Sequence, residues 1–204
     1  MKTLFNSVKN SSLVAIMLVA SLFSINASAA TVTADKGASH TDIKKVIVTG
    51  NTNVLIIQNA NESVKMDELD LSKVSLKQVG GTLTINSSEK SPVTVIVYVK
   101  DIYRIDASGR SNVKTVGKFN VKNLQVILKD DAKARVKAAT ESLYTVIDGH
   151  SKLELIGTSD SHVTKMTGLA KIDTDKFAAL KTEDLNSLAG VTVSVAKKQI
   201  SLSK

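Results

Sequence analysis

The sequence predicts an all-β protein whose exported part is a single domain of stacked coils, a β-solenoid. Three observations point to this class. A short pattern recurs along the chain, each copy has a turn residue at the same place, and apolar residues alternate with polar ones after the turn. Alternation with a period of two is typical of a strand with one buried face, and a repeat of about 20 residues has room only for short strands and turns.

Each copy of the repeat has an apolar residue, a turn at glycine or aspartate, a small residue, and then an apolar residue at every second position. The close copies recur at intervals of about 20 residues, and the longer first interval fits about three further coils. The copies are Val46–Ile56, Ile105–Thr115, Val126–Val136, Thr145–Leu155 and a degenerate fifth, Lys171–Lys181. Stacking such coils would align equivalent residues and merge their apolar positions into one core.

Aligning the copies gives four columns. The turn column holds residues that tolerate left-handed backbone angles, namely Gly50, Gly109, Asp130, Gly149 and Asp175. A polar column that should face water follows, with Asn51, Arg110, Asp131, His150 and Lys176. The next column is small, with Thr52, Ser111, Ala132 and Ser151, and Phe177 interrupts it. The apolar column that should stack in the core is Val54, Val113, Ala134, Leu153 and Ala179.

Other segments agree with an all-β fold. Ser91–Lys100 is rich in β-branched residues, and Gly80-Gly81 indicates a turn into a strand at Thr82. Lys176–Leu188 could form a short helix, but its overlap with the fifth copy favours strand and loop. A β-sandwich of short strands is the alternative; it explains the alternation but not the constant order of the columns.

Residues 1–30 predict a cleaved signal peptide, which leaves 31–204 as a single domain. Lys2 and Lys9 precede a short apolar core, Ser12–Phe23, and Ala27-Ser28-Ala29 offers the small residues that a signal peptidase needs. No later stretch is apolar enough to cross a membrane, so we expect no transmembrane segment after cleavage. The expected location is therefore the periplasm, the cell surface or the medium. The chain has no cysteine, which excludes disulfides and thiolate metal sites.

The chain resembles a known family, the putative auto-transporter adhesin heads, or head GIN domains, of bacterial exported proteins. The resemblance covers nearly the whole mature chain: Ile43–Ile57, Ser63–Met66 and Gly81–Ile85 early, then Ile105–Val113 and Val146–Leu155. It implies a right-handed, single-stranded parallel β-helix with coils of about 20 residues, in agreement with the repeat. It also implies an adhesin-like role. Asp130-Asp131-Ala132 departs from the family pattern, because acids replace the usual glycine.

We expect no enzyme, no cofactor and no metal. No serine lies in a G-x-S-x-G elbow, and no glycine-rich loop has the Lys-Ser/Thr pair of a phosphate site. The histidines are His40, His150 and His162, and their spacing from nearby aspartates matches no metal motif. The leading hypothesis is a non-enzymatic binding or structural module of the envelope. The alternatives are a β-helix polysaccharide lyase or hydrolase, which would need paired carboxylates in one groove, and an assembly role without a ligand.

A basic surface is the candidate ligand contact. The formal net charge is +8, and stacking of the columns would align Arg110, Lys114, Lys133, Arg135 and Lys152 on one face. Such a face would suit an acidic envelope or extracellular polysaccharide or a surface protein. Nucleic acid is not expected, because aromatic residues for base stacking are few. The same charges would also serve solubility alone, since cationic strands resist edge-to-edge aggregation.

Overall fold

The computed structural model describes residues 31–32 and 42–186, and all but one of its regular elements are strands. The strands are β1 Thr31–Val32, β2 Lys45–Gly50, β3 Thr52–Gln58, β4 Ser63–Met66, β5 Ser75–Val79, β6 Thr82–Ser87, β7 Val93–Val99, β8 Arg104–Ala107, β9 Asn112–Val116, β10 Asn120–Leu128, β11 Lys133–Ile147, β12 Lys152–Met166 and β13 Lys171–Asp184. A 3₁₀ turn covers Glu68–Asp70. No helix in this part of the chain is long and apolar enough to cross a membrane.

The strands form one mixed sheet that curves into a half-barrel. One arm has the order β1-β4-β7-β3-β9 and the other β5-β6-β2-β8-β10, and both arms join the long strand β11. The first half of β11 pairs with β9 and its second half with β10, and β12 and β13 follow in parallel. The strands β1, β4 and β5, however, pair antiparallel with their neighbours. The all-β class is confirmed, but the purely parallel right-handed β-helix was wrong.

The difference from a parallel β-helix arises in the first, long interval of the repeat. The segment between β3 and β8 does not add three coils in sequence order. Instead β6 and β7 lie beside β2 and β3 on the side opposite β8 and β9, so that Val54 is flanked by Val95 and Val113. The chain reaches that side through β4 and β5, which run antiparallel to β7 and β6 near the outer ends of the two arms. Each strand of the first copy thus has one parallel neighbour on each side, and antiparallel strands lie at the ends of the sheet.

The corners between consecutive strands follow the predicted turn column at four positions. Gly50, Gly109 and Gly149 have φ of 74°, 68° and 71°, and Asp130 has φ of 59°. The small residues beside these corners, Thr52, Ser111, Ala132 and Ser151, are fully buried. Inside the half-barrel the apolar residues of both arms form one core, which includes Val46, Ile105 and Leu83 from one arm and Val54, Val95 and Val113 from the other.

The fifth copy was wrong in register. Lys152 pairs with Lys171, so the turn before β13 is at Gly168, with φ of 69°, and the small residue is Ala170. The predicted turn residue Asp175 lies inside β13, next to a register shift between Glu154 and Ile156 on the partner strand. Phe177 pairs with Gly157 and belongs to no corner.

The remaining expectations divide between confirmed strands and segments outside the described residues. Strands β6 and β7 lie where the sequence predicted them, and β13 confirms strand rather than helix for the described part of Lys176–Leu188. The signal peptide, His40 and the alternating segment Val191–Ser203 lie outside the described residues.

Candidate functional site

An open trough of about 860 Å³ runs across the strands, beside the corners. One wall is the corner column, made of Asn51, Arg110, Asp131, His150 and Leu169. The other wall consists of the outward residues that lie two positions after each corner residue, namely Asn53, Asn112, Lys133, Lys152 and Lys171. We call this feature the basic trough. It forms because each corner turns at an equivalent residue, which brings the two columns into register.

The lysines of the trough form an uninterrupted row. Lys133 lies directly opposite Lys152, and Lys152 directly opposite Lys171. Paired residues on adjacent strands are about 4.8 Å apart, so the row places three ammonium groups on neighbouring strands. All three side chains are exposed, and none forms an ion pair with a described residue. Like charges directly opposite each other are unfavourable, so this row lowers stability unless an anion binds to it.

Beyond the lysine row, the next outward row contains charges of both signs. It runs Lys114, Arg135, Glu154 and Asp173, and with the lysines it borders a second shallow depression of about 610 Å³. Arg135 Nε lies 3.5 Å from Glu154 Oε2, with side chains 51% and 32% exposed. An exposed pair of this kind contributes little to stability but does occupy the guanidinium. This side of the lysines is therefore less attractive to an anion than the corner side.

The amides of Asn53 and Asn112 continue the lysine row toward β3. Asn112 Nδ2 donates a long hydrogen bond of 3.4 Å to Asn53 Oδ1. On the facing wall, Asn51 Nδ2 donates to the carbonyl oxygens of Glu89 and Lys90, at 3.2 and 2.7 Å. The trough therefore has three lysines on β11, β12 and β13, and asparagine amides together with Arg110 near β3 and β9. Amides bind hydroxyl and carbonyl groups, whereas ammonium groups bind anions.

Charges on the other arm contrast with the lysine row because they are paired. Asp106 accepts from Arg104 Nε at 2.7 Å and lies 3.0 Å from Lys45 Nζ. The hydrogen bond to Asp106 raises the pKa of Arg104. In the corner before β12, the Thr167 hydroxyl and the Gly149 amide both donate to Asp148 Oδ1, which lowers the pKa of that carboxyl. The trough lysines have no comparable partner within the described residues.

The two described histidines have different surroundings. His150 is in the trough wall, with Nδ1 3.9 Å from Asp131 Oδ1. His162 is buried inside the half-barrel, where Nε2 lies 3.0 Å from Thr145 Oγ1, and the ring meets Phe177 edge-on at 5.3 Å. Burial lowers the pKa of His162. Within residues 31–32 and 42–186, no three side chains of the metal-binding types are grouped as a metal site.

The structure groups three of the five predicted contact residues, Arg110, Lys133 and Lys152, in the basic trough. Lys114 and Arg135 lie in the next row, where Arg135 pairs with Glu154. Sequence reasoning missed Lys171, because the fifth copy was placed at Asp175. The available signal was Gly168-Leu169-Ala170-Lys171, which matches Gly149-His150-Ser151-Lys152 in turn, small residue and lysine.

Comparison with known families gives one match that spans most of the chain. The family described as "Putative auto-transporter adhesin, head GIN domain" matches residues 42–200. The chain belongs to this family. Membership suggests an exported or surface protein. Among curated proteins, none matches this head GIN domain.

Solved structures share the fold of this head GIN domain at low identity. A putative adhesin from Bacteroides fragilis NCTC 9343 matches with a TM-score of 0.61 and 13% identity, covering 71% of each chain. A putative adhesin from Parabacteroides merdae ATCC 43184 gives 0.56 and 16%, covering 77% of this chain and 76% of that one. A crystal structure described as a putative lipid binding protein, from Parabacteroides distasonis ATCC 8503, gives 0.54 and 16%, covering 72% and 75%.

Proposed function

We propose that this head GIN domain is a non-enzymatic, adhesin-like binding module of the bacterial envelope that holds an acidic polysaccharide in the basic trough. One observation carries the proposal: Lys133, Lys152 and Lys171 are aligned on adjacent strands without a carboxylate partner in the described structure. An arrangement that repels itself is relieved by an anionic ligand, and an open trough admits a polymer from the side. Binding through exposed charges of this kind is weak per contact, multivalent and dependent on salt.

The proposal favours a polysaccharide over an acidic protein because the trough offers amides as well as cations. Asn53 and Asn112 extend the lysine row, and amides suit the hydroxyl groups that accompany the acids of a glycan. A non-enzymatic role is preferred to a lyase or hydrolase because the described lining of the trough contains a single carboxylate, Asp131, which lies beside His150 in the corner column. Glycoside hydrolysis needs two carboxylates that flank one bond.

The test compares two triple variants of equal net charge. Lys133, Lys152 and Lys171 are changed together to glutamate, and the control changes Lys77, Lys118 and Lys165, which are exposed and lie outside the trough. Retention on immobilised acidic polysaccharide is measured at low and moderate salt. We expect the trough variant to lose about tenfold or more in affinity, and the control to lose much less, since each exposed contact contributes up to about 1 kcal/mol.

The outcome of this comparison and two further measurements separate the alternatives. Equal losses in both variants would mean that net charge alone attracts the polymer, and would remove the trough proposal. Anionic lipid vesicles provide a second arm, and binding to vesicles without binding to polysaccharide would also contradict it. Release of reducing ends or unsaturated sugars during incubation would favour the enzyme.

We also propose that the chain is exported by cleavage of residues 1–30, which places the trough outside the cytoplasm. The sequence supports this through its basic start, short apolar core and Ala27-Ser28-Ala29 site. Intact-mass measurement of the protein from the cell envelope should give a first residue at Ala30 or Thr31. Retention of Met1–Phe23 would contradict export by this route.

A further inference from the structure

We infer that the bound polymer lies across the strands, along Lys133, Lys152 and Lys171, and that the trough selects linear polyuronates with an acid on every sugar. This inference rests on the proposed function and adds the direction of the ligand and its charge spacing. It depends on the charges that surround the lysine row in each direction.

Across the strands, a polyanion meets cations in succession. From Lys133 the next residue in register is Lys152, and from Lys152 it is Lys171, at steps of about 4.8 Å. The corner column forms a wall along the same direction, so the trough itself runs this way. A chain placed in it contacts all three ammonium groups, and Asp131, the carboxylate in the described lining of the trough, lies in the facing wall beside His150.

Along β12 and β13, the same polyanion meets repulsion after one step. On β11 the outward residues after Lys133 are Arg135 and Lys137, and Arg135 is already paired with Glu154. The next outward residue after Lys152 on β12 is Glu154, and the next after Lys171 on β13 is Asp173. Glu154 and Asp173 lie opposite each other in register, and Glu154 forms an ion pair with Arg135. Like charges at contact distance cost free energy even at a surface, so a path along β12 or β13 is disfavoured.

The step along the row determines which polymers fit. In a homopolymeric polyuronate each sugar bears one carboxylate, and successive sugars advance by about one ring, which is comparable with the spacing of neighbouring strands. In an alternating glycan such as hyaluronate, every second sugar is neutral, so its acids can meet Lys133 and Lys171 but leave Lys152 unmatched. Lys152 would then remain between two lysines with no anion.

The experiment measures the affinity of the mature domain for galacturonate oligomers and for hyaluronate oligomers with equal numbers of carboxylates. We expect the galacturonate oligomers to bind about two- to fivefold more tightly, which corresponds to one additional exposed charge contact. Affinity should rise steeply from the dimer to the trimer, which is the first oligomer with an acid for each of the three lysines. Lys152→Gln should remove most of the preference between the two glycans, while Lys77→Gln should preserve it.

The outcomes distinguish this inference from the proposed function. If neither glycan binds, the proposed function fails and the inference fails with it. If both bind equally, and the triple glutamate variant of the trough loses both, the proposed function stands and the inference is overturned. Tighter binding after Glu154→Gln, with Lys171→Gln silent, would indicate a ligand that runs along the strands and would also overturn it.

Discussion

Gly149 lies against the backbone of Asp130, one strand away at the corner. A Cβ added to Gly149 would lie 2.9 Å from the carbonyl oxygen of Asp130 and 3.1 Å from its Cα. The next corner repeats this relationship, because a Cβ on Gly168 would lie 3.0 Å from the amide nitrogen of Gly149. The corners therefore stack backbone on backbone, and glycine serves both the left-handed angle and the close approach.

The first prediction separates these two roles of glycine. Gly149→Ala should lower the free energy of unfolding by about 2–4 kcal/mol, because it adds a steric clash to the cost of a left-handed angle. Gly80→Ala is the matched control: Gly80 has φ of 54° in the turn between β5 and β6, and nothing lies within 4 Å of its added Cβ. We expect it to cost about 1–2 kcal/mol. Urea unfolding of both variants gives the difference, and equal losses would show that the corners are not closely stacked.

The second prediction concerns the buried hydroxyl of Ser151. Ser151 is fully buried and its Oγ has no hydrogen-bond partner within the described residues, whereas Ala132 occupies the equivalent position one strand earlier. Ser151→Ala should therefore raise the free energy of unfolding by about 1 kcal/mol, since an unpaired buried hydroxyl is costly. Thr52→Val is the contrast, because Thr52 Oγ1 donates to the Thr49 carbonyl at 3.0 Å. Thr52→Val should lower the free energy of unfolding by about 1 kcal/mol. A loss of stability in Ser151→Ala would contradict an unpaired hydroxyl at this position.

The third prediction tests which face of β9 is buried. Val113 is fully buried between Val54 and Ala134, whereas its neighbour Asn112 faces the trough opposite Lys133. Val113→Asp should cost several kcal/mol or force protonation of the new carboxyl. Asn112→Asp should change stability by less than about 0.5 kcal/mol, since surface substitutions usually have small effects. Thermal unfolding of both variants decides, and similar melting temperatures would contradict the assigned faces.

Local parts of this fold could be predicted from the sequence because the turn, the small residue and the alternation are all local signals. Four left-handed corners, the buried small residues and strands β6 and β7 follow from them. The order of strands could not be predicted in this way. The same alternation suits a parallel and an antiparallel neighbour, so nothing in Ser63–Met66 or Ser75–Val79 reveals that β4 and β5 run antiparallel.

The candidate site shows the same division. Lys133 and Lys152 could be aligned because each follows a clear corner by the same number of residues. Lys171 was missed because Asp175 resembles a turn residue. In the structure the register shift near Asp175 lies within strand β13 and not at a corner. The neighbouring positions of Arg135 and Glu154 follow from the same register, because each lies two residues after an aligned lysine, and the structure adds the ion pair of 3.5 Å between them.

A buried polar network inside the half-barrel underlies the last prediction. Thr145 Oγ1 lies 3.0 Å from His162 Nε2 and donates to Thr164 Oγ1 at 2.9 Å. All three residues are buried. Burial disfavours the imidazolium and lowers the pKa of His162 below its ordinary value of 6.5. The unfolded chain therefore binds a proton at this histidine more readily than the folded protein does.

Stability should accordingly fall as the pH drops below about 6.5, and His162 should have no effect on the slope well above that value. Between the unfolded and folded pKa values the loss approaches about 1.4 kcal/mol per pH unit. His162→Gln should remove this component, because an amide keeps polar contacts with Thr145 but does not titrate. His150→Gln is the control, since His150 is exposed in the trough wall. Urea unfolding from pH 7.5 to 5.5 should show a steeper decline for the wild type and for His150→Gln than for His162→Gln. The same slope in all three proteins would mean that the folded state accommodates the imidazolium, and would contradict a neutral His162 in the core.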